Sequence, residues 1–240
     1  LGQLGELSEL AVTTSALLHE TQKERGITAL YMGSGGTEHG DKLATQRDNV
    51  DARLADLDAA LSATNVDSFG SDFAAAVSTT SESFGELSSH RSSVDQLSIP
   101  TGDAIAFYTQ WNTAMLSTVE EIGGLSNNAE LSRLIASYVN WMQGKKRAGQ
   151  ERAVLSNTFA AGSFQGAFFN KFSQLVSEQN TYQQVFASFA TPEQSTFAEQ
   201  TVQGSEVDSV NEMREIAFAG STSTDLGVDA GFWFDSSTVM

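Results

Sequence analysis

Two short runs of the sequence place an arginine directly after a glutamate and before a small residue. The first is Gln22-Lys23-Glu24-Arg25-Gly26, and the second is Gln150-Glu151-Arg152-Ala153. Both arginines stand out because the 240-residue chain has only 13 lysines and arginines. A guanidinium group is planar and always charged, and its paired N–H groups match planar oxyanions through bidentate hydrogen bonds. The two runs therefore indicate a site for one small anion, such as nitrate, nitrite or a carboxylate.

Both arginines are predicted to face neighbouring helices. Arg25 falls on a seam of residues spaced three and four apart, from Leu4 to Met32, which is the spacing of a packed helix face. Arg152 falls on a similar seam between Leu131 and Phe159. A lone guanidinium at such a position loses hydration unless an anion pairs with it. We therefore expect the two arginine-bearing helices to hold the anion between them.

Nearby side chains extend this candidate site. Thr21 and Thr28 lie about one helical turn on either side of Arg25, where their hydroxyl groups are candidate donors to the anion. Arg47 is a candidate third cation, with a surface pair to Asp51 at i,i+4 spacing as the more ordinary interpretation. The structural alternative for both runs is that each arginine pairs with a glutamate on a neighbouring helix and binds no ligand.

The sequence offers little else that could carry chemistry. His19, His39 and His90 are not part of a Glu-x-x-His pair, which argues against a di-iron helical bundle. The chain has no cysteine, which excludes disulfides and thiolate metal sites. No Gly-x-Ser-x-Gly nucleophile motif occurs. We therefore expect a protein that is not an enzyme and that holds neither a cofactor nor a metal.

The net charge of the chain limits the classes of partner that it is expected to bind. A formal net charge of −17 argues against nucleic acid or an anionic membrane as the main partner, and it makes a local positive site necessary for capturing an anion. No run of about 18 apolar residues occurs, so the sequence itself contains no bilayer-spanning segment. The chain begins and ends within helical patterns, so we expect a piece of a longer protein whose membrane contact comes only from flanking segments.

Apolar spacing predicts seven or eight amphipathic helices, since no useful strand alternation occurs. Pro100 and Pro192 are the only prolines, and Thr191 followed by Pro192 is typical of a capped helix start. We predict an all-α fold of two stacked up-and-down four-helix bundles with long amphipathic helices. The repeat of the glutamate–arginine run indicates a single sensor domain, residues 1–240, made of halves at about 1–126 and 127–240.

The same runs resemble motifs of a known family. The stretch from Leu18 to Gly26 looks like the first motif of the NIT domain, the nitrate- and nitrite-sensing module of bacterial receptors. The stretch from Gly149 to Ser156 resembles its second motif, and Trp233-Phe234 with Ser237-Thr238 is similar to its closing stretch. The resemblance implies an all-helical sensor of two four-helix bundles. It also implies that the arginines matching Arg25 and Arg152 take part in recognising nitrate or nitrite.

The resemblance further implies a cellular role. NIT domains occur between two transmembrane helices in chemoreceptors, histidine kinases and cyclases, and also in soluble antitermination regulators. We expect this acidic chain to be the periplasmic sensor domain of a bacterial inner-membrane receptor, a methyl-accepting chemotaxis protein, acting as a homodimer and without a nucleic acid partner. Nitrate or nitrite bound between the helices bearing Arg25 and Arg152 would then shift those helices and pass a signal across the membrane.

Two other functions stay open on the sequence alone. The same scaffold could sense a different small molecule, such as a carboxylate, an amino acid or a urea-like compound. It could also be a helical protein-interaction module with no small ligand, which predicts a filled interior around arginine–glutamate pairs.

Overall fold

A computed structural model of the protein describes residues 3–125 and 128–239. The side chain of Leu4, the first residue of the α1 seam, lies outside the described part. The boundary expected between the two halves, at residues 126 and 127, also lies outside it.

The described residues form nine α-helices, one short 3-10 helix and no strand. The prediction of an all-α helical bundle fold is therefore confirmed. The first four helices are α1 Gln3–Gly33, α2 Gly40–Ala63, α3 Ser71–Asp95 and α4 Thr101–Leu125, with the 3-10 helix Val66–Phe69 between α2 and α3. The others are α5 Ala129–Ala160, α6 Phe168–Phe189, α7 Pro192–Thr201, α8 Ser205–Ala219 and α9 Ala230–Val239. Within the described ranges, no helix is both long and apolar enough to cross a membrane.

Backbone contacts divide the chain into two compact units, unit 1 from Leu1 to Ile135 and unit 2 from Ala136 to Met240. The division falls inside helix α5. That the chain works as one sensor domain made of two halves stays a prediction.

Unit 1 is organised around α1 and α4. Helix α1 packs against α2 and α4, and α4 packs in turn against α3. The apolar spacing of α4 explains its central place, because side chains three and four residues apart lie on one helix face. The side chains on that face are fully buried: Ala104, Tyr108, Trp111, Met115 and Ile122. Helix α1 packs against this core, so one face of α1 is buried.

Unit 2 has a core that joins α5 to the later helices. Leu155 and Phe159 of α5 pack with Phe172 of α6 and with side chains of α8 and α9. Trp233 is the member of this core from α9, and it is 1% exposed. Burial of this large indole attaches α9 to the unit.

The start of α7 shows how local sequence sets a helix boundary. Thr191 accepts a hydrogen bond from the backbone N–H of Gln194, and the Gln194 side chain accepts one from the backbone N–H of Thr191. These two bonds form a capping box, and Pro192 occupies the first helical position. The predicted helix start at Thr191-Pro192 is thus present.

We predict that Thr191→Ala lowers the free energy of unfolding by about 1 kcal/mol, because the backbone N–H of Gln194 loses its side-chain acceptor. Urea denaturation of the purified protein would measure this loss. Thr181→Ala is the matched control, since Thr181 is exposed in the interior of α6 and caps nothing. An equal loss in both variants would contradict the assigned role of the cap.

Candidate anion site

The buried charged residue of the first run is Glu24. Thr21, Glu24 and Thr28 are each 0% exposed, whereas Arg25 is partly exposed. The side chain of Glu24 therefore lies on the buried face of α1, and that of Arg25 lies next to this face, partly exposed to solvent. Either residue fits the spacing of the buried face, because Glu24 lies three residues after Thr21 and Arg25 lies four residues after it.

Glu24 is satisfied by residues from two other helices of unit 1. Arg91 of α3 donates from Nε to Oε1 at 2.7 Å and from NH2 to Oε2 at 2.8 Å, which is a bidentate pair. Tyr108 of α4 donates its hydroxyl to Oε1 at 2.7 Å. Burial and the nearby charge of Glu24 raise the pKa of Tyr108, so the phenol stays protonated as the donor.

Two further carboxylates complete this cluster. Arg91 also donates from NH1 to Asp51 Oδ1 at 2.6 Å. Although burial lowers the pKa of Arg91, its hydrogen bonds to Glu24 and Asp51 outweigh burial and raise that pKa above the ordinary value. Arg47 pairs with Asp95 at 2.8 Å, and its Nε lies 3.7 Å from Glu24 Oε1. Arg47 therefore lies beside the buried Glu24, and its closer carboxylate partner is Asp95, whereas the spacing suggests a surface pair with Asp51.

The second run repeats this arrangement in unit 2. Glu151 is 1% exposed, and Arg214 of α8 donates to it from Nε at 2.6 Å and from NH2 at 2.5 Å. Gln179 of α6 donates to Glu151 Oε2 at 2.8 Å and accepts from Arg214 NH2 at 2.9 Å. Each unit thus holds the glutamate of its run in a bidentate pair with an arginine from another helix.

Sequence reasoning missed both partner arginines, although a signal was present. Arg91 lies four residues after buried Leu87 and three before buried Val94, so it is on the inward seam of α3. Arg214 lies between buried Val210 and Ala217 of α8 with the same spacing. Counting seams along these two helices identifies the partners of Glu24 and Glu151.

Arg25 is placed on the edge of the α1–α4 contact. Its NH1 donates to the hydroxyl of Thr109 on α4 at 3.2 Å. The hydroxyl of Thr21 lies 2.6 Å from Asn112 Oδ1, one turn further along α4. Thr21 and Thr28 lie on the buried face of α1 together with Glu24.

Arg152 is held by neutral groups of α9. Its NH1 donates to Thr238 Oγ1 at 3.2 Å and to the Ser237 carbonyl at 3.5 Å, and its guanidinium carbon lies 5.4 Å from the centroid of the Phe234 ring. Among the residues that the structure describes, no carboxylate pairs with it. Burial lowers the pKa of Arg152, with no opposing charge to offset it. A bound anion would stabilise a partly desolvated cation in this position.

We predict that Arg91→Ala and Arg214→Ala each lower the free energy of unfolding by about 3–5 kcal/mol, because each leaves a buried carboxylate unpaired. Urea denaturation would measure the loss. Arg53→Ala is the matched control, since Arg53 forms a half-exposed pair with Asp56 and should cost at most about 1 kcal/mol. Similar losses in all three variants would show that the buried pairs have no special role.

Two known proteins resemble this chain along nearly its whole length. The nitrate regulatory protein of Klebsiella oxytoca is 26% identical over 239 residues, which cover 99% of this chain and 59% of that relative. The solved structure of the NasR transcription antiterminator superposes with a TM-score of 0.83 at 26% identity, covering 99% of this chain and 64% of the other. The chain therefore spans less than two thirds of each relative.

These relatives correct the expected cellular role. The prediction of a periplasmic chemoreceptor domain that signals across the membrane in chemotaxis is wrong, because the relatives are a regulatory protein and a transcription antiterminator. Transcription does not take place on the outer side of the membrane, so the predicted location is wrong as well. The motifs that suggested a receptor occur in receptors and regulators alike, so they could not separate the two classes.

The expectation of no nucleic acid partner is also wrong, since antitermination is an action on transcription. It rested on a net charge of −17, which describes this chain only. The chain matches 59% of the length of the regulatory protein, so its charge says nothing about the rest of such a protein.

The comparison with protein families gives the same assignment as the two motifs. A family described as nitrate and nitrite sensing matches residues 16–240, a range that includes both glutamate–arginine runs and the α9 residues around Arg152. The chain belongs to the NIT family.

Proposed function

We propose that this protein senses nitrate or nitrite and controls transcription in response. The observation that carries the proposal is the half-buried guanidinium of Arg152, which is held by neutral groups and whose pKa is lowered by burial. A desolvated cation of this kind favours a small anion that forms two parallel hydrogen bonds. The family description and the regulatory relatives support nitrate or nitrite as that anion.

Arg25 and Arg152 are the proposed ligand-binding residues. Glu24 and Glu151 precede them in the sequence, but their carboxylates already accept bidentate pairs from Arg91 and Arg214. Those pairs neutralise the glutamates, so the acidic residue next to each proposed anion-binding arginine repels the ligand less. Each run therefore combines a neutralised glutamate with an arginine at the edge of the helix packing.

Thr21 and Thr28 are proposed to act on the anion site indirectly, through the packing of α1. Both side chains are fully buried, and the Thr21 hydroxyl is engaged with Asn112 of α4. Their contribution to anion binding is to fix the rotation of α1, which sets the direction of Arg25. Their alanine variants should therefore weaken anion binding less than the variants of Arg25 or Arg152.

The proposed activity is that of a sensor and not of an enzyme. The anion would bind more tightly to one arrangement of the helices and so shift the population toward it. The two relatives are named for nitrate regulation and for transcription antitermination. We propose the same kind of output for this protein, with nucleic acid as its target.

We predict that nitrate at 100 times its dissociation constant raises the free energy of unfolding by about 2.7 kcal/mol. Thermal shift and isothermal titration calorimetry would test nitrate, nitrite, chloride, formate and acetate at constant ionic strength. Nitrate and nitrite should stabilise the fold, and chloride should not. A well-folded sample that millimolar nitrate and nitrite leave unchanged would exclude both as ligands, and stabilisation by the carboxylates alone would assign a different anion.

We further predict that Arg25→Ala and Arg152→Ala each weaken nitrate binding at least about tenfold, which corresponds to the loss of roughly 1.4 kcal/mol of charge-assisted hydrogen bonding. Titration calorimetry would measure the dissociation constants. Arg53→Ala removes the same charge from an exposed position on α2 and should leave binding unchanged. Unchanged affinity in either site variant would remove that arginine from the site.

A further inference from the structure

Helix α9 is attached to α5 through its first half. The Trp233 indole is 1% exposed, and its Nε1 donates to the backbone carbonyl of Arg152 at 3.0 Å. The same ring meets Phe159 edge-on, with ring centroids 5.7 Å apart. These contacts fix the position of α9 beside the backbone of Arg152, whatever the Arg152 side chain does.

The second half of α9 contacts the Arg152 guanidinium itself. The ring of Phe234 lies within cation–π range of the guanidinium, and Thr238 and the carbonyl of Ser237 accept hydrogen bonds from NH1. Within the described part of the chain, NH1 is the one guanidinium nitrogen of Arg152 with an acceptor. The other edge of the group, formed by Nε and NH2, is therefore the edge left for a bidentate anion.

We infer that Phe234 and Thr238 are positioning residues for Arg152, and that α9 responds to the anion bound there. This inference rests on the proposed function, because it concerns the same anion site. An arginine side chain is long and rotatable, so a guanidinium fixed in advance loses less conformational freedom when the anion binds. Phe234 supports one face of the planar group, and Thr238 holds NH1 so that the opposite edge faces the ligand.

The response of α9 follows from the reciprocity of linked equilibria. If the contacts of α9 favour the orientation of Arg152 that binds the anion, then the bound anion must favour those contacts by the same factor. The part of α9 that responds is its second half, because Phe234, Ser237 and Thr238 make these contacts. The Ser237 carbonyl accepts a hydrogen bond from Arg152 NH1. Anion binding should therefore stabilise the second half of α9.

The test compares hydroxyl and methyl groups at one position. Thr238→Val replaces the hydroxyl with a methyl group of similar size and should raise the nitrate dissociation constant several-fold, measured by titration calorimetry. Thr238→Ser keeps the hydroxyl and should restore most of the affinity. Thr181→Val makes the same change at an exposed position on α6 and should leave binding unchanged. Melting temperatures without nitrate would confirm that each variant is folded.

Hydrogen–deuterium exchange supplies the second readout, which a purely structural role of Thr238 would not move. In the wild-type protein, nitrate should slow exchange in the second half of α9 and leave α7 unchanged. In Thr238→Val, this slowing should be lost at nitrate concentrations that saturate the variant. Phe234→Leu should weaken nitrate binding in the same direction, because leucine has no aromatic face for the guanidinium.

The outcomes separate this inference from the proposed function. If wild-type protein binds nitrate, but Thr238→Val binds it equally tightly and α9 exchange does not change, the inference is overturned and the proposed function stands. If wild-type protein binds no nitrate, the proposed function fails and this inference fails with it. Weaker binding in Thr238→Val, rescue in Thr238→Ser and nitrate-dependent protection of α9 would establish the inference.

Discussion

The buried bidentate pair between a glutamate and an arginine is the interaction on which each unit depends. A carboxylate with no exposure to water is tolerated only if its oxygens are fully hydrogen-bonded and its charge is compensated. Glu24 meets this condition through Arg91 and Tyr108, and Glu151 meets it through Arg214 and Gln179. The helices that supply these groups cannot rotate without breaking the pair.

That constraint explains why glutamate and arginine are adjacent in both runs. Successive residues of an α-helix point about 100° apart, because a turn contains 3.6 residues. Once Glu24 is fixed toward the interior of unit 1, Arg25 must emerge at the side of α1, where it reaches Thr109 of α4. The buried pair need not add net stability to do this, since its desolvation cost is large. Its role is to set the rotation of the helix.

The sequence predicts much of the fold and part of the site. Long amphipathic helices, the cap at Thr191 and the all-α class follow from spacing and from propensities that act locally. The orientation of the first run does not follow, because steps of three and four lead from Thr21 equally well to Glu24 or to Arg25. Which of the two is buried depends on Arg91, which lies on another helix far along the chain. Only tertiary contacts decide between them.

The cellular role was harder still to predict, for a related reason. A site for a small anion is defined by a few side chains, and the same side chains serve a membrane receptor or a regulator of transcription. Net charge could not decide either, because charge reports on solubility and on partners of the charged surface alone.

Two kinds of arginine result from this architecture, and the difference between them is what the proposed function uses. Arg91 and Arg214 each donate from Nε and NH2 to a buried glutamate, so these two nitrogens cannot bind a ligand. Arg152 contacts a hydroxyl, a carbonyl and an aromatic ring through one side of its guanidinium. A strongly acidic protein can therefore keep a positive group for a small anion, because its buried carboxylates are neutralised by other arginines. In each run, the glutamate is neutralised by an arginine that comes from another helix.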